Sequence, residues 1–324
     1  MDTPPMIPFV SKDEIRLSLS YPKLITALEK AFTEEVTAPV RHVHSLSATT
    51  DSSLLLMPAW QNEGNTGVKL VTVAPKNQQH PTVHAIYILL DTQTGVPLAL
   101  MDGEELTVRR TAAASALASG FLSREDSQHL VMVGNGGLAP HLAVAHCHRR
   151  PIKRISIWGR DAEKSQRCCE SILQHPELPS DVIVDFTENL AASCHAADII
   201  SCATTSKQAI VKSEWVRPGT HIDLVGGFTP AMREVDDLVM SRARVFVDTF
   251  AGAISEAGDI VQCLQNGSLS RDAIVAELAM LCSAQHPGRQ SASEVTVFKS
   301  VGTALEDLCA ANLVWQTKSA SLNK

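Results

Sequence analysis

No uninterrupted apolar stretch in this sequence reaches the roughly 20 residues that a membrane-spanning helix needs. The N-terminal MDTPPMIPFVSKDE has no basic segment followed by an apolar one, so a secretory signal is not expected either. There is no CxxC pair. The eight cysteines are scattered at 147, 168, 169, 194, 202, 263, 282 and 309, which speaks against a zinc ribbon or a redox motif. The adjacent Cys168 and Cys169 fall on a predicted helix and cannot readily bridge each other, so free thiols in a reducing cytoplasm are the plain reading. An excess of positive charge is also missing: 28 Lys and Arg stand against 35 Asp and Glu, a formal net charge of -7. That argues against nucleic acid or an anionic membrane as the main partner. An anionic small substrate needs only a local basic pocket and stays open. No internal repeat or low-complexity linker is evident. What remains is an ordinary globular composition, 44% hydrophobic and 19% charged, in 324 residues, a length that suits two domains.

The first third mixes element types. Residues 11–19 and 21–36 read as helices opened by a cap or an early proline, and 53–60, 66–74, 83–90 and 96–101 as Val-, Leu- and Ile-rich strands. Thr94-Gly95 sits between the last two strands like a hairpin turn, so the sheet is antiparallel or mixed. From Glu104 the segment LTVRRTAAASALASGFL reads as a long helix with a small-residue face. Then the rhythm changes to strand–helix alternation: QHLVMVG, LAPHLAVAHCHR, RISIWG, DAEKSQRCCESILQ, with DVIVDF, ADIISCAT, THIDLVGG and ARVFVDTF as further strands. That alternation predicts a parallel sheet covered on both faces. Residues 294–315 read as a final apolar helix. The fold class is α/β: an α+β first part followed by a parallel sheet with helices on both faces.

Gly134-Asn135-Gly136-Gly137-Leu138-Ala139 matches GxGxxG/A, follows an apolar strand and opens a helix, the context that gives the motif meaning. Gly134 allows the tight turn, Gly136 lets backbone approach a pyrophosphate, and Ala139 permits close helix–sheet packing. The helix start offers free N–H groups to phosphate. The next strand ends Ile157-Trp158-Gly159-Arg160-Asp161, without the terminal acid that would take a ribose 2′-OH. Arg160 is placed to meet a 2′-phosphate, or is a solvated surface arginine, and Asp161 reads as the next N-cap. NADPH is favoured, with NADH tolerated.

The chain resembles the ornithine cyclodeaminase/mu-crystallin family over nearly its whole length. The carriers are Gly67-Val68-Lys69, Thr94-Gly95-Val96-Pro97-Leu98-Ala99, the run from Leu106 to Ala113, the glycine turn, Pro218-Gly219-Thr220-His221-Ile222, and Thr296-Val297-Phe298-Lys299-Ser300-Val301-Gly302. The resemblance implies a homodimer, with an α+β substrate-binding and dimerisation domain over 1–120 and 294–324 and a Rossmann dinucleotide-binding domain over 121–293, and with Arg41 and Lys69 on the substrate carboxylate and Arg110 and Thr111 on the cofactor's phosphates. An arginine fork suits a carboxylate, and a lysine inside a pocket adds charge or donates a proton.

One stretch departs from the cyclodeaminases and alanine dehydrogenases, which carry an aspartate after the fifth Rossmann strand. Here Val225-Gly226-Gly227-Phe228-Thr229-Pro230 puts Phe228 in that place. Cyclodeamination needs a carboxylate to move protons, and a phenyl ring cannot do so. The stretch from Asp223 to Glu234 is similar instead to the branch that reduces Δ1-pyrroline-2-carboxylate and Δ1-piperideine-2-carboxylate to L-proline and L-pipecolate, a chemistry of hydroxyproline or related amino-acid degradation. Such a substrate is already an imine. Phe228 would wall its ring, and the nicotinamide would deliver hydride. Lys69 is the first choice of proton donor, with Thr229 through a water, or His84, as alternatives.

The rival readings are an ornithine cyclodeaminase, an alanine dehydrogenase, or a non-catalytic binder like the mu-crystallins. Ring size is left open. Thr204 and Val225, beside strand ends, are expected to line the cofactor pocket. His141, His146 and His148 do not share a helix face, so no metal site is expected. His84 and His221 read as structural, and Cys202 as packing.

Overall fold

The computed structural model describes residues 6–322. Positions 1–5 of the segment examined for a secretory signal, and the outer ends of the expected first domain at 1–5 and 323–324, lie outside the described residues. The chain divides into two compact units: residues up to Thr111 together with those from Thr303 on, and Ala112–Gly302.

The first unit opens with β1 (Phe9–Val10) and α1 (Lys12–Ser18). Ser11 and Glu14 form a reciprocal capping box that satisfies N–H groups otherwise open at the helix start. α2 (Tyr21–Ala31) has Pro22 in its first turn and buries Tyr21, Leu24, Ile25 and Leu28 at helical spacing. It stops short of the expected residue 36 because Thr37 is drawn into a two-way backbone bridge with Trp60, at 3.0 Å each way. Then come β2 (His42–Ser47), β3 (Ser52–Trp60), β4 (Asn65–Val73), β5 (Val83–Asp91) and β6 (Pro97–Asp102), and α3 (Gly103–Leu122) carries the chain onward.

These strands form one six-stranded sheet in the order β1-β6-β5-β4-β3-β2, antiparallel except for the β1–β6 edge. β3 to β6 lie where their apolar runs predict them. Thr94-Gly95 makes the expected hairpin, with Gly95 at φ +70° and the Thr94 N–H on the Asp91 carboxylate at 2.8 Å. β2 has no sequence signal: His42-Val43-His44-Ser45-Leu46-Ser47 is largely exposed and shows no alternation.

The second unit runs through β7 (His129–Val133), α4 (Ala139–Cys147), β8 (Arg154–Trp158), α5 (Ala162–Leu173), β9 (Ile183–Phe186), α6 (Leu190–Ala196), β10 (Ile199–Cys202), β11 (His221–Leu224), α7 (Asp237–Arg242), β12 (Arg244–Val247), α8 (Phe250–Glu256), α9 (Gly258–Asn266), β13 (Ile274–Glu277), α10 (Leu278–Cys282) and β14 (Thr296–Lys299). Its eight strands pair in parallel in the order β13-β12-β14-β11-β10-β7-β8-β9. The chain goes outward from β7 to β8 and β9, then crosses back to β10 on the other flank of β7. That reversal is a topological switch point, and a dinucleotide binds in the crevice beyond the strand carboxyl ends at such a point. Val131, Val133, Ile200, Ile222, Val245 and Val297 form the buried heart of the sheet.

The expectation of one helix over 294–315 is corrected here. β14 enters the sheet between β11 and β12, and α11 (Ala304–Leu322) starts only after Gly302, whose φ is +82°. All four residues of β14 are buried, which removes the alternation that marks a strand and leaves a short apolar run easily merged with the helix beyond it. Residues 294–302 therefore go with the second unit, and α11 returns to the first, where it packs on β3, β4 and β5. Among the described residues no helix is long and apolar enough to cross a membrane.

Candidate active site

Strand alternation in the first unit puts Met57, Lys69, Tyr87 and Met101 opposite one another on β3, β4, β5 and β6, all four on the buried face. Three of the four suit that face, and Lys69 is the misfit. It is 2% exposed, and its Nζ lies 2.8 and 2.9 Å from the two carboxylate oxygens of Asp307 on α11. Asp307 also accepts from Arg110 Nε at 2.9 Å, and Arg110 Nη1 reaches Glu306 at 2.5 Å. Burial depresses the Lys69 pKa from 10.5 to about 8; the Arg110 charge adds to the fall, Asp307 resists it, and Arg41 lowers it further. For Arg110 burial opposes the charge, but Asp307 and Glu306 outweigh it and hold the guanidinium above its ordinary pKa. Close packing makes Gly67 necessary, since a β-carbon there would fall 1.8 Å from the Tyr87 hydroxyl oxygen.

The structure thus brings Lys69 and Arg110 together through Asp307, with half-buried Arg41 near enough to act on Lys69 electrostatically. Arg110, expected at the cofactor's phosphates, has its guanidinium hydrogen-bonded to Asp307 and Glu306. Its neighbour Arg109 points the other way around α3, bonding Glu105 at 3.0 Å and the Leu19 carbonyl at 2.5 Å. Thr111 follows on the same helix, half-buried.

In the second unit the turn after β7 fits a dinucleotide pyrophosphate. Gly134 sits at φ +117°, and a β-carbon there would fall 2.5 Å from the Ala203 carbonyl oxygen. Gly136 and Gly137 are exposed, with nothing within 4 Å of where a β-carbon would stand. Half-buried Leu138 is the N-cap of α4 and offers no side-chain cap; the Ala139 N–H bonds the Gly136 carbonyl at 3.0 Å and Pro140 carries no N–H, so it is the exposed glycine turn that a pyrophosphate can approach. A cavity of about 220 Å³ opens here, lined by Asn135, Gly136, Gly137, Lys164 and Arg167 among others. Asn135 is tied to the next loop through Asp161 O and Ser165 Oγ, both at 3.1 Å. Asp161 caps α5 as expected, and Arg160 is exposed beside it. Gly134→Ala is expected to abolish measurable NADH binding and to cost about 1–3 kcal/mol of stability, from the collision and the left-handed φ. Calorimetric titration and a denaturant midpoint check it.

Beyond β10 and β11 lie the other candidates. Thr204 is half-buried and donates from both its N–H and its hydroxyl to Glu234, at 2.7 and 2.9 Å. Val225 is buried, with its N–H on Cys202 O at 2.9 Å. Phe228 is 46% exposed, while Thr229 is half-buried and uses its carbonyl to accept from the Met232 N–H at 3.0 Å. His84 stands exposed on β5 with Nδ1 3.2 Å from Glu104, a surface pair rather than a buried acid. His221 is buried and bonded to Thr296 Oγ1 at 3.0 Å. Cys202 is fully buried in the core, and burial pushes its thiol well above the ordinary pKa, which leaves it inert. All eight cysteines are free, and no group of metal-ligating residues occurs among the described residues.

Two features have no counterpart among the sequence-derived candidates. Glu306 and Asp307 look like first-turn acids complementing a helix dipole, which hides the role of Asp307. Glu234, Asp259 and Lys299 form a buried ionic set whose one sequence sign is a lysine ending an apolar strand.

The chain is similar to known proteins over most of its length. Protein SAR DEFICIENT 4 of Arabidopsis thaliana is 42% identical over 288 residues, 87% of each chain. A Δ1-pyrroline-2-carboxylate reductase of Colwellia psychrerythraea is 39% identical over 94% of this chain and 97% of its own. The solved Δ1-pyrroline-2-carboxylate reductase of Thermococcus litoralis, in complex with NADH and L-proline, superposes with a TM-score of 0.91 at 30% identity, covering 97% of this chain and 98% of that one. The profile of the ornithine cyclodeaminase/mu-crystallin family matches residues 7–321. A Rossmann unit with an open glycine turn, a buried lysine in an antiparallel sheet and a match across almost the full length have one reading: the chain belongs to the ornithine cyclodeaminase/mu-crystallin family.

Proposed function

We infer that this protein is an NAD(P)H-dependent reductase of cyclic imino acids that turns Δ1-pyrroline-2-carboxylate into L-proline. The reductases of Colwellia psychrerythraea and Thermococcus litoralis support that activity. The observation in this chain that carries the chemistry is the Lys69 amine, buried against Asp307 with its pKa brought down to about 8. An ordinary lysine is a poor acid at neutral pH, whereas one poised near 8 is still mostly protonated and gives its proton up readily.

When bound, the reduced nicotinamide supplies the hydride. Lys69 gives a proton to the imine nitrogen as C2 accepts that hydride, so the C=N bond becomes CH–NH and the lysine is left neutral, to be recharged from solvent. Arg41 holds the substrate carboxylate. Asp307 keeps the amine in place through the transfer. Phe228 offers an apolar wall to the ring, and no carboxylate stands at that position to handle water or ammonia. The turn from Gly134 to Leu138 holds the pyrophosphate. Thr229 contacts the substrate beside Phe228, and Thr204 and Val225 line the nicotinamide half of the site.

Arg160 favours NADPH: it is exposed at the end of β8, no acid ends that strand, and Lys164 and Arg167 of the adjoining cavity add positive charge. Arg160→Ala is expected to raise KM for NADPH about tenfold, roughly one charge-assisted phosphate contact, and to leave KM for NADH within about twofold. We also propose a homodimer, and the cytoplasm as its compartment, where eight free thiols stay reduced. Its place is the degradation of hydroxyproline or a related amino acid, and six-membered Δ1-piperideine-2-carboxylate is a second substrate of the same chemistry.

The reading is tested by following dihydronicotinamide absorbance with Δ1-pyrroline-2-carboxylate. Consumption is expected, and none with either NADH or NADPH overturns it. Ammonia release from L-ornithine would establish the cyclodeaminase, turnover of pyruvate with ammonia the alanine dehydrogenase, and tight cofactor binding without turnover a binding protein.

A further inference from the structure

The mechanism above makes no use of the buried charges in the second unit. Glu234, Asp259 and Lys299 are each fully buried, and they come from three separate places: the loop before α7, the first turn of α9 and the end of β14. Glu234 Oε1 takes both donors of Thr204, after β10. Lys299 Nζ donates to the Gly226 carbonyl and, at 3.2 Å, to the Leu224 carbonyl, at and after the end of β11. Asp259 Oδ1 accepts the N–H groups of Glu234 and Val235 at 2.8 and 3.1 Å, and its Oδ2 lies 3.5 Å from Lys299 Nζ.

The loops they hold are stacked without slack. A β-carbon on Gly226 would fall 2.2 Å from the Thr204 carbonyl and 2.3 Å from Glu234 Oε1, and one on Gly227 would fall 2.7 Å from Asp259 Oδ2. On the far side, a β-carbon on Gly134 would lie 3.3 Å from Thr204 Cγ2. The cofactor turn after β7, the loop after β10 and the loop after β11 thus touch in series, and the buried charges back the last two. Apolar side chains could fill this space at less cost than three ionisable groups, but they could not fix backbone donors and acceptors in place.

At a Rossmann switch point the two halves of the dinucleotide divide. The adenosine lies on the β8 flank, and the nicotinamide on the β10–β11 flank. We propose that Glu234, fixed by Lys299 and Asp259, is a positioning residue for the nicotinamide half of the cofactor, acting through Thr204 and the Gly226-Gly227 turn. This rests on reading the unit as a nicotinamide site and is independent of which imine is reduced. Burial pushes the Glu234 carboxyl up to about 8, with Asp259 adding and Lys299 and Thr204 opposing, so a neutral amide of the same shape is its conservative replacement.

The test is calorimetric titration of the full chain with NADH and with ADP-ribose, which carries the adenosine and pyrophosphate but no nicotinamide. Glu234→Leu is expected to weaken NADH about tenfold and ADP-ribose less than about twofold, and Glu234→Gln to restore NADH to within about threefold. Glu234→Asp, which withdraws the acceptor from Thr204 but keeps the carboxyl, is expected to show the same selective loss at about fivefold and decides the matter should the leucine variant not fold. Equal weakening of both ligands by Glu234→Asp, or NADH binding by that variant equal to the parent's, overturns the proposal. Neither readout needs imine turnover, so failure of the proposed reaction would be seen separately, in the activity assay.

Discussion

Lys69→Met is expected to lower kcat for Δ1-pyrroline-2-carboxylate reduction by about 10²–10⁴-fold, the usual worth of a positioned general acid. Methionine keeps the length and apolar character of the lysine stem and suits a row that already holds Met57, Tyr87 and Met101, so the sheet should persist. NADH binding should be unchanged, because the glycine turn belongs to the second unit. The parent enzyme carries a matching pH signature. Lys69 must hold its proton to act, and its pKa is about 8. The rate should therefore be level below about pH 8 and fall about tenfold per unit above it. Steady-state kinetics across pH, with stopped-flow measurement of hydride transfer, separates this from a KM effect. A methionine variant with parental kcat removes Lys69 from the chemistry.

Asp307→Asn should move that alkaline limb. Asp307 is the group that holds the Lys69 pKa up against burial, Arg110 and Arg41. Without its charge the ammonium is less favoured, so the sign is fixed: the limb shifts toward acid, by at least about one pH unit for a carboxylate lost at contact distance. Activity at pH 8 then falls at least about fivefold while activity near pH 6 falls much less. Stability falls too, by about 3–5 kcal/mol, because Lys69 and Arg110 lose a shared buried partner. The pH-dependent part distinguishes tuning of the lysine from mere loosening of the fold, which would lower the rate equally at every pH. Glu306 stays paired with Arg110 in this variant and gives the site its remaining negative charge.

What the sequence makes legible follows the length and contrast of each signal. β3 to β6 are long, aliphatic and partly alternating, and they fall within a residue or so of their predicted ends. The glycine turn is legible because its chemistry is local: a tight turn, two open glycines and an uncapped helix start, all within six residues. β2 and β14 are hidden for opposite reasons, one exposed on nearly every residue and the other buried on every residue, so neither alternates. Lys69 can be singled out by resemblance, but its partner cannot, since Asp307 is 238 positions away and resembles an ordinary first-turn acid. Arg109 and Arg110 are adjacent in the chain, and only the turn of α3 between them sends one to Leu19 and Glu105 and the other to Asp307.

The central claim is that hydride passes from the nicotinamide to C2 of a cyclic imine, and isotope transfer tests it most directly. NADH or NADPH deuterated at the transferring position, incubated with the protein and Δ1-pyrroline-2-carboxylate, should yield L-proline with a single deuterium at Cα. L-Proline without deuterium, or no proline from either cofactor, would contradict it.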